Sequence, residues 1–314
     1  MAERFLVTGG AGFIGSHLVD SLLADGARVR VLDDFSSGRR ENLAAALRHG
    51  GALDVVEGDI RDLATVRAAM SGVDGVFHEA AMVSVPQSVE HPELSADVNA
   101  RGTANVFAAA REARVRRVVF ASSSAIYGDD APAPVAEDQA PGPMSPYGVD
   151  KLYAEHLGAL YASLYGVETV GLRYFNVFGP RQDPSSPYSG VISIFANAMR
   201  AGRAITIYGD GEQTRDFVDV ADVVRANRLA MSATPFRGFR ALNVGRGERT
   251  TLNELVKVLG RLAGADVPVR YEAARAGDVR HSQADVTRIR AELGWEPAVT
   301  LEAGLGTLLA SERA

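Results

Sequence analysis

The segment that most limits the possible folds is a glycine-rich loop near the start of the chain. Its glycines are spaced Gly9-x-x-Gly12-x-x-Gly15 and lie between a short apolar run, residues 5–7, and a helical pattern, residues 14–22. In such a loop one glycine makes the tight turn, one lets the backbone approach a pyrophosphate, and one lets helix and strand pack closely. The helix N-terminus then offers unpaired N–H groups and its dipole to the phosphate charge. The loop predicts the first strand–helix unit of a dinucleotide-binding domain.

In the first half of the chain, short apolar runs alternate with segments of helical periodicity, and this alternation predicts the rest of that domain. Further short, apolar runs occur at residues 29–32, 53–56, 76–78, 118–120 and 169–172. Within these runs, apolar and polar residues do not alternate regularly, as they would in a strand with one solvent-exposed face. The runs are therefore typical of strands buried on both faces of a sheet. Long helical stretches cover residues 98–113 and 147–165. This alternation predicts an α/β fold with a doubly wound parallel sheet, the Rossmann architecture.

After residue 175 the elements become shorter and less regular, which indicates a second domain. The predicted elements are a helix at residues 191–201, strands at 205–207 and 241–244, and helices at 251–263 and 301–309. We expect residues 1–175 to form the dinucleotide-binding domain. Residues 176–314 are expected to form a smaller α/β substrate-binding domain, with some segments returning to the first.

Composition narrows the classes of protein to which the chain can belong. The net charge is −6 and no basic stripe is present, which argues against nucleic acid as a partner. Cysteine is absent and the histidines show no ligand spacing, so we expect no metal. No apolar run is long enough to span a bilayer and no secretory segment precedes the first strand. These features favour a cytoplasmic protein with no membrane partner.

Two acidic residues follow predicted strands at positions that suit a dinucleotide. Asp33 ends the second strand, about 20 residues after the glycine loop, where an acid accepts hydrogen bonds from the adenosine ribose. Its charge would repel a 2′-phosphate, which favours NAD over NADP. Asp59 follows the third strand and has two open interpretations, a bond to the adenine amine or a turn or N-cap aspartate.

Tyr147 and Lys151 lie four residues apart at the start of a predicted helix and so share one face. A tyrosine with its ordinary pKa of about 10 is a poor base at neutral pH, but a nearby ammonium and a positive nicotinamide ring favour the phenolate. Ser124 follows the fifth strand, at the sheet edge where open α/β folds bind ligands, and offers a hydroxyl to the reacting oxygen. The tyrosine–lysine spacing alone is not specific. With Ser124, however, the three form a predicted catalytic set.

The glycine loop, Asp33, Ser124 and the Tyr-x-x-x-Lys pair together resemble the extended short-chain dehydrogenase family over essentially the whole chain. Further blocks similar to that family are FHEAA at 77–81, VNARGT at 98–103, LRYFNVFGP at 172–180 and RDF at 215–217. Within the family, the chain is most similar to UDP-glucose and UDP-N-acetylglucosamine 4-epimerases. Residues 277–285 are similar to the N-acetylhexosamine branch.

The resemblance implies a set of ligand-binding residues. The residues implied to contact NAD are Gly9, Gly12, Phe13, Ile14, Gly15, Asp33, Asp34, Ser37, Gly38, Asp59, Ile60, Ala80, Ala81, Asn99, Tyr147 and Lys151, with Ser122, Tyr174 and Phe175 at the nicotinamide end. Those implied to hold the UDP-sugar are Ser124, Tyr147, Asn176, Val191, Thr206, Tyr208, Arg215, Arg275, Asp278 and Ser282. A serine at 282 implies room for an N-acetyl group beside the sugar.

The activity that the resemblance implies is UDP-hexose 4-epimerisation through a transient NAD-dependent oxidation and a 4-keto intermediate. The alternatives left open are a UDP-glucuronate 4-epimerase, a nucleotide-sugar dehydratase or decarboxylase on the same fold, and a non-catalytic NAD-binding sensor. Ala125 and Ile126 cannot move a proton, which argues against elimination, and Asn176 argues for a neutral sugar. Relatives dimerise through two helices per subunit, so the resemblance also implies a homodimer.

Overall fold

A computed structural model of the chain describes residues 2–129, 133–183, 190–274 and 279–311. Its central feature is a sheet of seven strands, ordered β11-β6-β5-β4-β1-β2-β3. The pairings of β1 with β2 and β4, of β2 with β3 and of β4 with β5 are all parallel. The strands are β1 Arg4–Thr8, β2 Arg28–Asp33, β3 Leu53–Glu57, β4 Gly75–His78, β5 Arg117–Ser123, β6 Glu168–Tyr174, β7 Asn176–Phe178, β8 Ile205–Tyr208, β9 Thr214–Arg215, β10 Phe217–Asp219, β11 Phe239–Val244, β12 Thr250–Thr251 and β13 Val269–Glu272.

Helices connect the strands, as crossover connections between parallel strands require. They are α1 Phe13–Ala24, α2 Leu63–Met70, α3 Val85–Glu90, α4 Pro92–Ser95, α5 Gly102–Glu112, α6 Pro146–Tyr165, α7 Val191–Arg200, α8 Val220–Ser232, α9 Leu252–Ala263, α10 Thr287–Leu293 and α11 Leu301–Ser311. A π-helical segment, Ala96–Arg101, joins α4 to α5, and short 3₁₀ turns lie at Arg40–Leu43, Ala46–Ala52 and Ser124–Ile126. The doubly wound Rossmann sheet predicted from the sequence is confirmed.

The chain forms two compact units, and it passes between them repeatedly. The first unit contains residues 1–126, 145–173 and 224–242, and the second contains residues 127–144, 174–223 and 243–314. The predicted boundary after residue 175 thus falls close to one of several crossings. Within the first unit, α2 and α5 bury Met70 and Phe107 against one face of the sheet. Phe107 meets Phe120 of β5 edge to face, with ring centroids 5.6 Å apart.

The second unit has its own hydrophobic core. It is formed by Phe195 and Met199 of α7, Leu255 and Leu259 of α9, and Leu308 of α11. Helix α9 begins with a capping box and ends at a left-handed glycine, which satisfies backbone groups at both ends. The parallel pair β8–β13 lies beside these helices.

The strand predicted at 241–244 follows the expected domain boundary but belongs to the main sheet. As β11 it forms the edge of that sheet, next to β6, in agreement with the expectation that some later segments return to the first domain. The helix expected at 98–113 is divided, because residues up to Arg101 are π-helical and the α-helix begins at Gly102. Within the part of the chain that is described, no helix is both long and apolar enough to cross a bilayer.

Candidate active site

The glycine loop between β1 and α1 is packed so tightly that it excludes side chains at two of its positions. A Cβ on Gly15 would lie 2.1 Å from the carbonyl oxygen of Gly9, and a Cβ on Gly9 would lie 2.6 Å from the backbone nitrogen of Ala80. Gly9 also has a φ of 67°, which favours glycine. Gly12 is the N-cap of α1 and bears no capping side chain, so the first N–H groups of Phe13 and Ile14 face the loop. Gly10, which the sequence reading left out, is held against Val31.

Asp33 connects this loop to the end of β2. One carboxylate oxygen accepts the N–H of Ala11 at 2.8 Å and the other accepts the N–H of Phe35 at 2.9 Å. Burial raises the pKa of Asp33, although these two hydrogen bonds act in the opposite direction. Gly38 brings the backbone against this carboxylate, since a Cβ there would lie 2.7 Å from its oxygen. A carboxylate accepts about four hydrogen bonds, so Asp33 retains capacity for ribose hydroxyls.

The remaining residues expected to bind NAD differ in how their side chains are placed. Asp34 and Ser37 are exposed beside Asp33, and the Asp34 carboxylate accepts two bonds from Ser36. Ile60 is buried in the hydrophobic core, so its side chain is not available to a ligand. Ala80 follows β4 and its N–H donates to the Thr8 hydroxyl at 3.4 Å. Ala81 lies next to it, half-buried.

Asp59 pairs with a protein partner that the sequence reading did not consider. Its carboxylate accepts from Nε and Nη2 of Arg61, at 2.8 and 2.5 Å. The Arg61 side chain lowers the pKa of Asp59. The N-cap of α2 is Asp62, not Asp59. The helix N-cap interpretation of Asp59 is therefore wrong, whereas the turn interpretation agrees with the hydrogen bond from the N–H of Arg61 to Asp59 Oδ1 at 2.8 Å.

Asn99 is almost completely buried, and its amide is engaged with protein groups. Its Oδ1 accepts the N–H of Met82 at 2.8 Å, and its Nδ2 donates to Met82 O at 3.1 Å and to Asp150 at 3.3 Å. We expected the side chain to contact NAD. The structure instead shows an amide that fixes the segment after β4 to the helix that carries Tyr147.

The hydroxyl beside Tyr147 belongs to Ser123, not to Ser124. Tyr147 and Ser123 are hydrogen-bonded through their side chains. Ser123 is the last residue of β5, whereas Ser124 begins the 3₁₀ turn that follows. Successive side chains of a strand point to opposite faces, so a difference of one position decides which serine reaches the tyrosine. The assignment of Ser124 as the catalytic hydroxyl is corrected to Ser123.

Lys151 lies beside Tyr147, as the spacing predicts. Its Nζ is 5.6 Å from the centroid of the Tyr147 ring and donates to the carbonyl oxygen of Ala121 at 2.9 Å. Burial lowers the pKa of Lys151 to about 8, while the carboxylates of Glu79 and Asp150 oppose this change. The two carboxylates thus offset part of the cost of burying the Lys151 ammonium.

The protein chain without a bound cofactor does not favour the Tyr147 phenolate. Burial raises the pKa of Tyr147 to about 12; the hydrogen bond from Ser123 lowers it, and the negative charge of Glu79 raises it further. Desolvation disfavours the charged form of the phenol and outweighs the one hydrogen bond. The chain alone therefore disfavours the phenolate, and a positive charge near the ring would act in the opposite direction.

Ser122 was expected at the nicotinamide end, but its side chain is directed elsewhere. Its hydroxyl donates to Glu155 of α6 at 2.5 Å and it is 1% exposed. Glu155 also receives two bonds from Arg173 of β6. Only the backbone of Ser122 remains for contact with a ligand.

His78 is a buried structural residue, as expected. Its ring nitrogens lie 2.7 Å from the Thr8 hydroxyl and 3.0 Å from the Thr103 hydroxyl. Burial, with a smaller contribution from the Lys151 ammonium, lowers the pKa of His78 to about 3. The neutral ring is therefore the form that fits this position.

The buried neutral His78 predicts a loss of stability in acid. The pKa of His78 is about 3 in the fold and 6.5 for a free histidine side chain. The stability that depends on its neutral ring is therefore complete above pH 6.5 and is lost as the pH falls towards 3. We expect this one group to lower the free energy of unfolding by ~2 kcal/mol at about pH 5. Urea titrations across this pH range would show a shallower pH dependence for His78→Gln. The exposed His49→Gln variant is the control, and parallel curves for His78→Gln and wild type would contradict the prediction.

In the second unit, Arg215 and Ser282 are brought together by one stretch of backbone. The Arg215 guanidinium donates to the carbonyl oxygens of Thr214 and Val279, at 2.9 and 2.6 Å. The N–H of Ser282 donates to Thr214 O at 3.2 Å, and Thr214 N donates to Arg280 O at 3.0 Å. Residues 279–282 thus run beside β9.

Four further residues expected to hold the sugar nucleotide occupy separate elements of the same unit. Thr206 and Tyr208 alternate with the buried Ile205 and Ile207 along β8, so they face away from the core. Asn176 begins β7 and Val191 begins α7, and both are half-buried. Tyr174 and Phe175, which are expected at the nicotinamide end and not at the sugar nucleotide, are buried. Arg275 and Asp278 lie outside the described residues.

The RDF block contains a buried acid that sequence reasoning passed over. Asp216 is completely buried and accepts the N–H groups of Arg246, Gly247 and Ala284, at 2.6 to 2.9 Å. Burial raises the pKa of Asp216 to about 6. It holds together the backbone that follows β11 and the segment after Ser282. Within the described parts of the chain, no cluster of three or more acidic or histidine side chains suits a metal ion.

Comparison with known proteins assigns the chain to a family. Residues 5–245 match the NAD dependent epimerase/dehydratase family. The chain belongs to this family. It is 43% identical to a UDP-glucose 4-epimerase of Mycolicibacterium smegmatis over 96% of both chains. Two solved epimerases are also similar to it.

The first of these is a UDP-glucose 4-epimerase of Thermotoga maritima with UDP-glucose, 40% identical, with a TM-score of 0.93 over 99% of this chain and 98% of that one. The second is a UDP-N-acetylglucosamine 4-epimerase of Methanobrevibacter ruminantium in complex with UDP-N-acetylmuramic acid. It is 36% identical, with a TM-score of 0.94 over 100% of this chain and 99% of that one. Such coverage confirms that the resemblance extends over the whole chain.

Proposed function

We propose that this chain is a UDP-hexose 4-epimerase that interconverts UDP-glucose and UDP-galactose, and also UDP-N-acetylglucosamine and UDP-N-acetylgalactosamine. The observation that carries the proposal is the group of side chains at the end of β5. There the Tyr147 phenol is hydrogen-bonded to Ser123 and the Lys151 ammonium lies beside its ring. The relatives named above act on the same class of substrate.

NAD is the cofactor that the residues fit. The loop leaves no space for a Cβ at Gly9 or Gly15, as a bound pyrophosphate requires, and Asp33 offers a carboxylate to a ribose without a 2′-phosphate. When bound, NAD would supply the reversible oxidation at carbon 4 and a positively charged nicotinamide ring.

The protein's own residues handle the proton and the orientation of the sugar. Tyr147 accepts the proton of the 4-hydroxyl and later returns it to the oxygen on carbon 4, after the 4-keto sugar has turned its other face to the cofactor site. Ser123 donates a hydrogen bond to the same oxygen as it becomes a carbonyl, and Lys151 stabilises the phenolate. In the second unit, Arg215 supplies a guanidinium suited to a diphosphate.

The correction from Ser124 to Ser123 predicts unequal effects for two neighbouring serines. Ser123→Ala removes the hydroxyl that is bonded to Tyr147, so we expect kcat to fall by about 100-fold, as when one hydrogen-bond donor to a developing charge is lost. Ser124→Ala should change kcat by less than about threefold. Steady-state kinetics of both variants on UDP-glucose would test this. A larger loss in Ser124→Ala than in Ser123→Ala would reverse the assignment.

The substrate class is tested by incubating the protein with UDP-glucose, UDP-N-acetylglucosamine and UDP-glucuronate and following the 4-epimers by NMR. We expect epimers of the first two, because Ser282 leaves room for an N-acetyl group. Formation of only the uronate epimer would favour the UDP-glucuronate 4-epimerase alternative. A 4-keto-6-deoxy sugar or a pentose would indicate a dehydratase or decarboxylase. No turnover with NAD bound would indicate a sensor.

A homodimer is part of the proposal, supported by an apolar face on α6. The exposed residues on this helix include Val149, Tyr153, Leu160 and Leu164, which are 41 to 65% exposed. A stripe of this kind marks an interaction surface in a protein of this size. Light scattering should show a dimer for wild type and a monomer for the Leu160→Glu/Leu164→Glu variant. The control is Leu47→Glu, at an exposed leucine outside α6, and a dimer in both variants would remove this face from the proposal.

A cytoplasmic location also remains a proposal. The absence of cysteine from the sequence is consistent with a reducing compartment. Fractionation of the source cells would test it, since recovery of the protein outside the cytoplasm would contradict it.

A further inference from the structure

Three consecutive residues at the end of β5 are bonded to three residues of α6. The carbonyl oxygen of Ala121 accepts from Lys151 Nζ at 2.9 Å. The Ser122 hydroxyl donates to Glu155 at 2.5 Å, and the Ser123 hydroxyl is bonded to Tyr147. The acceptors and donors on α6 are four residues apart, so the helix presents them along one side. The outer two contacts involve the proposed catalytic residues, whereas the middle one does not.

The middle contact is part of a buried ion pair. The Glu155 carboxylate receives Nε of Arg173 at 2.8 Å and Nη2 at 2.7 Å, a bidentate arrangement. The two side chains are 5 and 6% exposed. Arg173 belongs to β6, so Glu155 is bonded to two neighbouring strands at once. Bidentate guanidinium–carboxylate pairs fix geometry as well as charge.

We propose that Glu155 and Arg173 are positioning residues, whose buried ion pair sets the register of α6 on β5 and so holds Tyr147 against Ser123. The proposal rests on the proposed function for its kinetic consequence. A buried ion pair is often replaceable by apolar residues without loss of stability, so stability alone does not account for this pair beside the active site. A misplacement of about 1 Å at reacting groups costs about 100-fold in rate, which gives the register a direct effect on turnover.

The test is a double replacement, Glu155→Leu/Arg173→Met, which removes both charges and leaves neither without a partner. The matched control is Glu112→Leu/Arg67→Met, because this pair is also bidentate, at 2.7 Å for both bonds, but is about half exposed and joins α2 to α5. We expect the Glu155/Arg173 double variant to fold and to retain bound NAD. Its kcat should fall by about tenfold or more, with KM for UDP-glucose changed by less than about threefold. The control should keep the wild-type kcat.

A second readout does not depend on activity. The chain contains two lysines, Lys151 and Lys257, so lysine labelled with ¹³C at Cε gives one signal from the site and one reference signal from α9. If the register relaxes, Lys151 loses the Ala121 carbonyl that favours its charged form. We therefore expect an NMR titration to show the pKa of Lys151 lowered by about half a unit or more in the Glu155/Arg173 double variant.

The outcomes separate the two proposals. Wild-type kcat and an unchanged Lys151 titration in the folded double variant would overturn the positioning role. If the wild-type protein proves not to be an epimerase, the Lys151 titration still decides whether the ion pair sets the register. If the double variant does not fold, Arg173→Lys is used, since it keeps the charge but not the bidentate geometry. This folded single variant should lose kcat by about threefold or more, and wild-type kcat would overturn the proposal.

Discussion

Replacing Tyr147 with phenylalanine is expected to leave a folded protein that retains NAD but turns over UDP-glucose about 10²- to 10⁴-fold more slowly. Phenylalanine preserves the ring that lies 5.6 Å from Lys151 Nζ and removes only the oxygen that is bonded to Ser123. The proton of the 4-hydroxyl then has no acceptor at this position. Because the Tyr147 oxygen does not hold the glycine loop, cofactor binding should be largely preserved.

The measurement combines kcat on UDP-glucose with NAD released by denaturation and quantified per chain. Tyr153→Phe is the matched control, since it removes a phenol oxygen from an exposed tyrosine on the same helix. A Tyr147→Phe protein with a rate close to wild type would contradict the assignment of the base. Loss of bound NAD together with activity would show that the phenol mainly supports the cofactor.

Gly15→Ala is expected to give a protein that does not retain NAD. The added Cβ would lie 2.1 Å from the Gly9 carbonyl oxygen and 2.9 Å from Gly10 Cα. Both contacts are with backbone, so the loop or the first turn of α1 must move. The N–H groups that would face a pyrophosphate then lose their arrangement. Overpacking of this kind also costs about 1–3 kcal/mol of stability.

Absorbance of the purified protein at 260 and 280 nm, followed by a urea titration, would measure both effects. Gly51→Ala is the control, because a Cβ there has no atom within 4 Å and the residue belongs to the same unit. Full NAD content in Gly15→Ala would contradict the prediction, because it would show that the loop can rearrange around the added Cβ and still bind NAD.

The sequence predicted those features that depend on local pattern. The runs at the start of the chain and around Val118 and Val170 are strands of the main sheet, and the helix that begins near Tyr147 is present. Apolar periodicity, turn glycines and the Tyr-x-x-x-Lys spacing carry this information within short windows. The glycine loop was predicted for the same reason, because its spacing is a short pattern, although the contacts of Gly9 with Ala80 and of Gly10 with Val31 join distant segments.

What the sequence could not provide are contacts between distant segments. Ser123 and Ser124 are equivalent by composition, and only the packing of β5 against α6 distinguishes them. The engagement of Asn99 with Met82 and Asp150 also joins segments that no short pattern relates. The high pKa of Tyr147 arises because burial outweighs the hydrogen bond from Ser123, and burial depends on the whole fold.

The position of β11 at the edge of the main sheet has a consequence for how the polypeptide can be divided. A fragment that ends after residue 175 would contain β6 without the strand that pairs with its outer side. The exposed row of N–H and C=O groups would then be open to pairing with other chains, which promotes aggregation. During synthesis the sheet likewise stays incomplete until residues 239–244 have been added. Expression of the dinucleotide-binding half alone therefore requires that this late strand be fused to it.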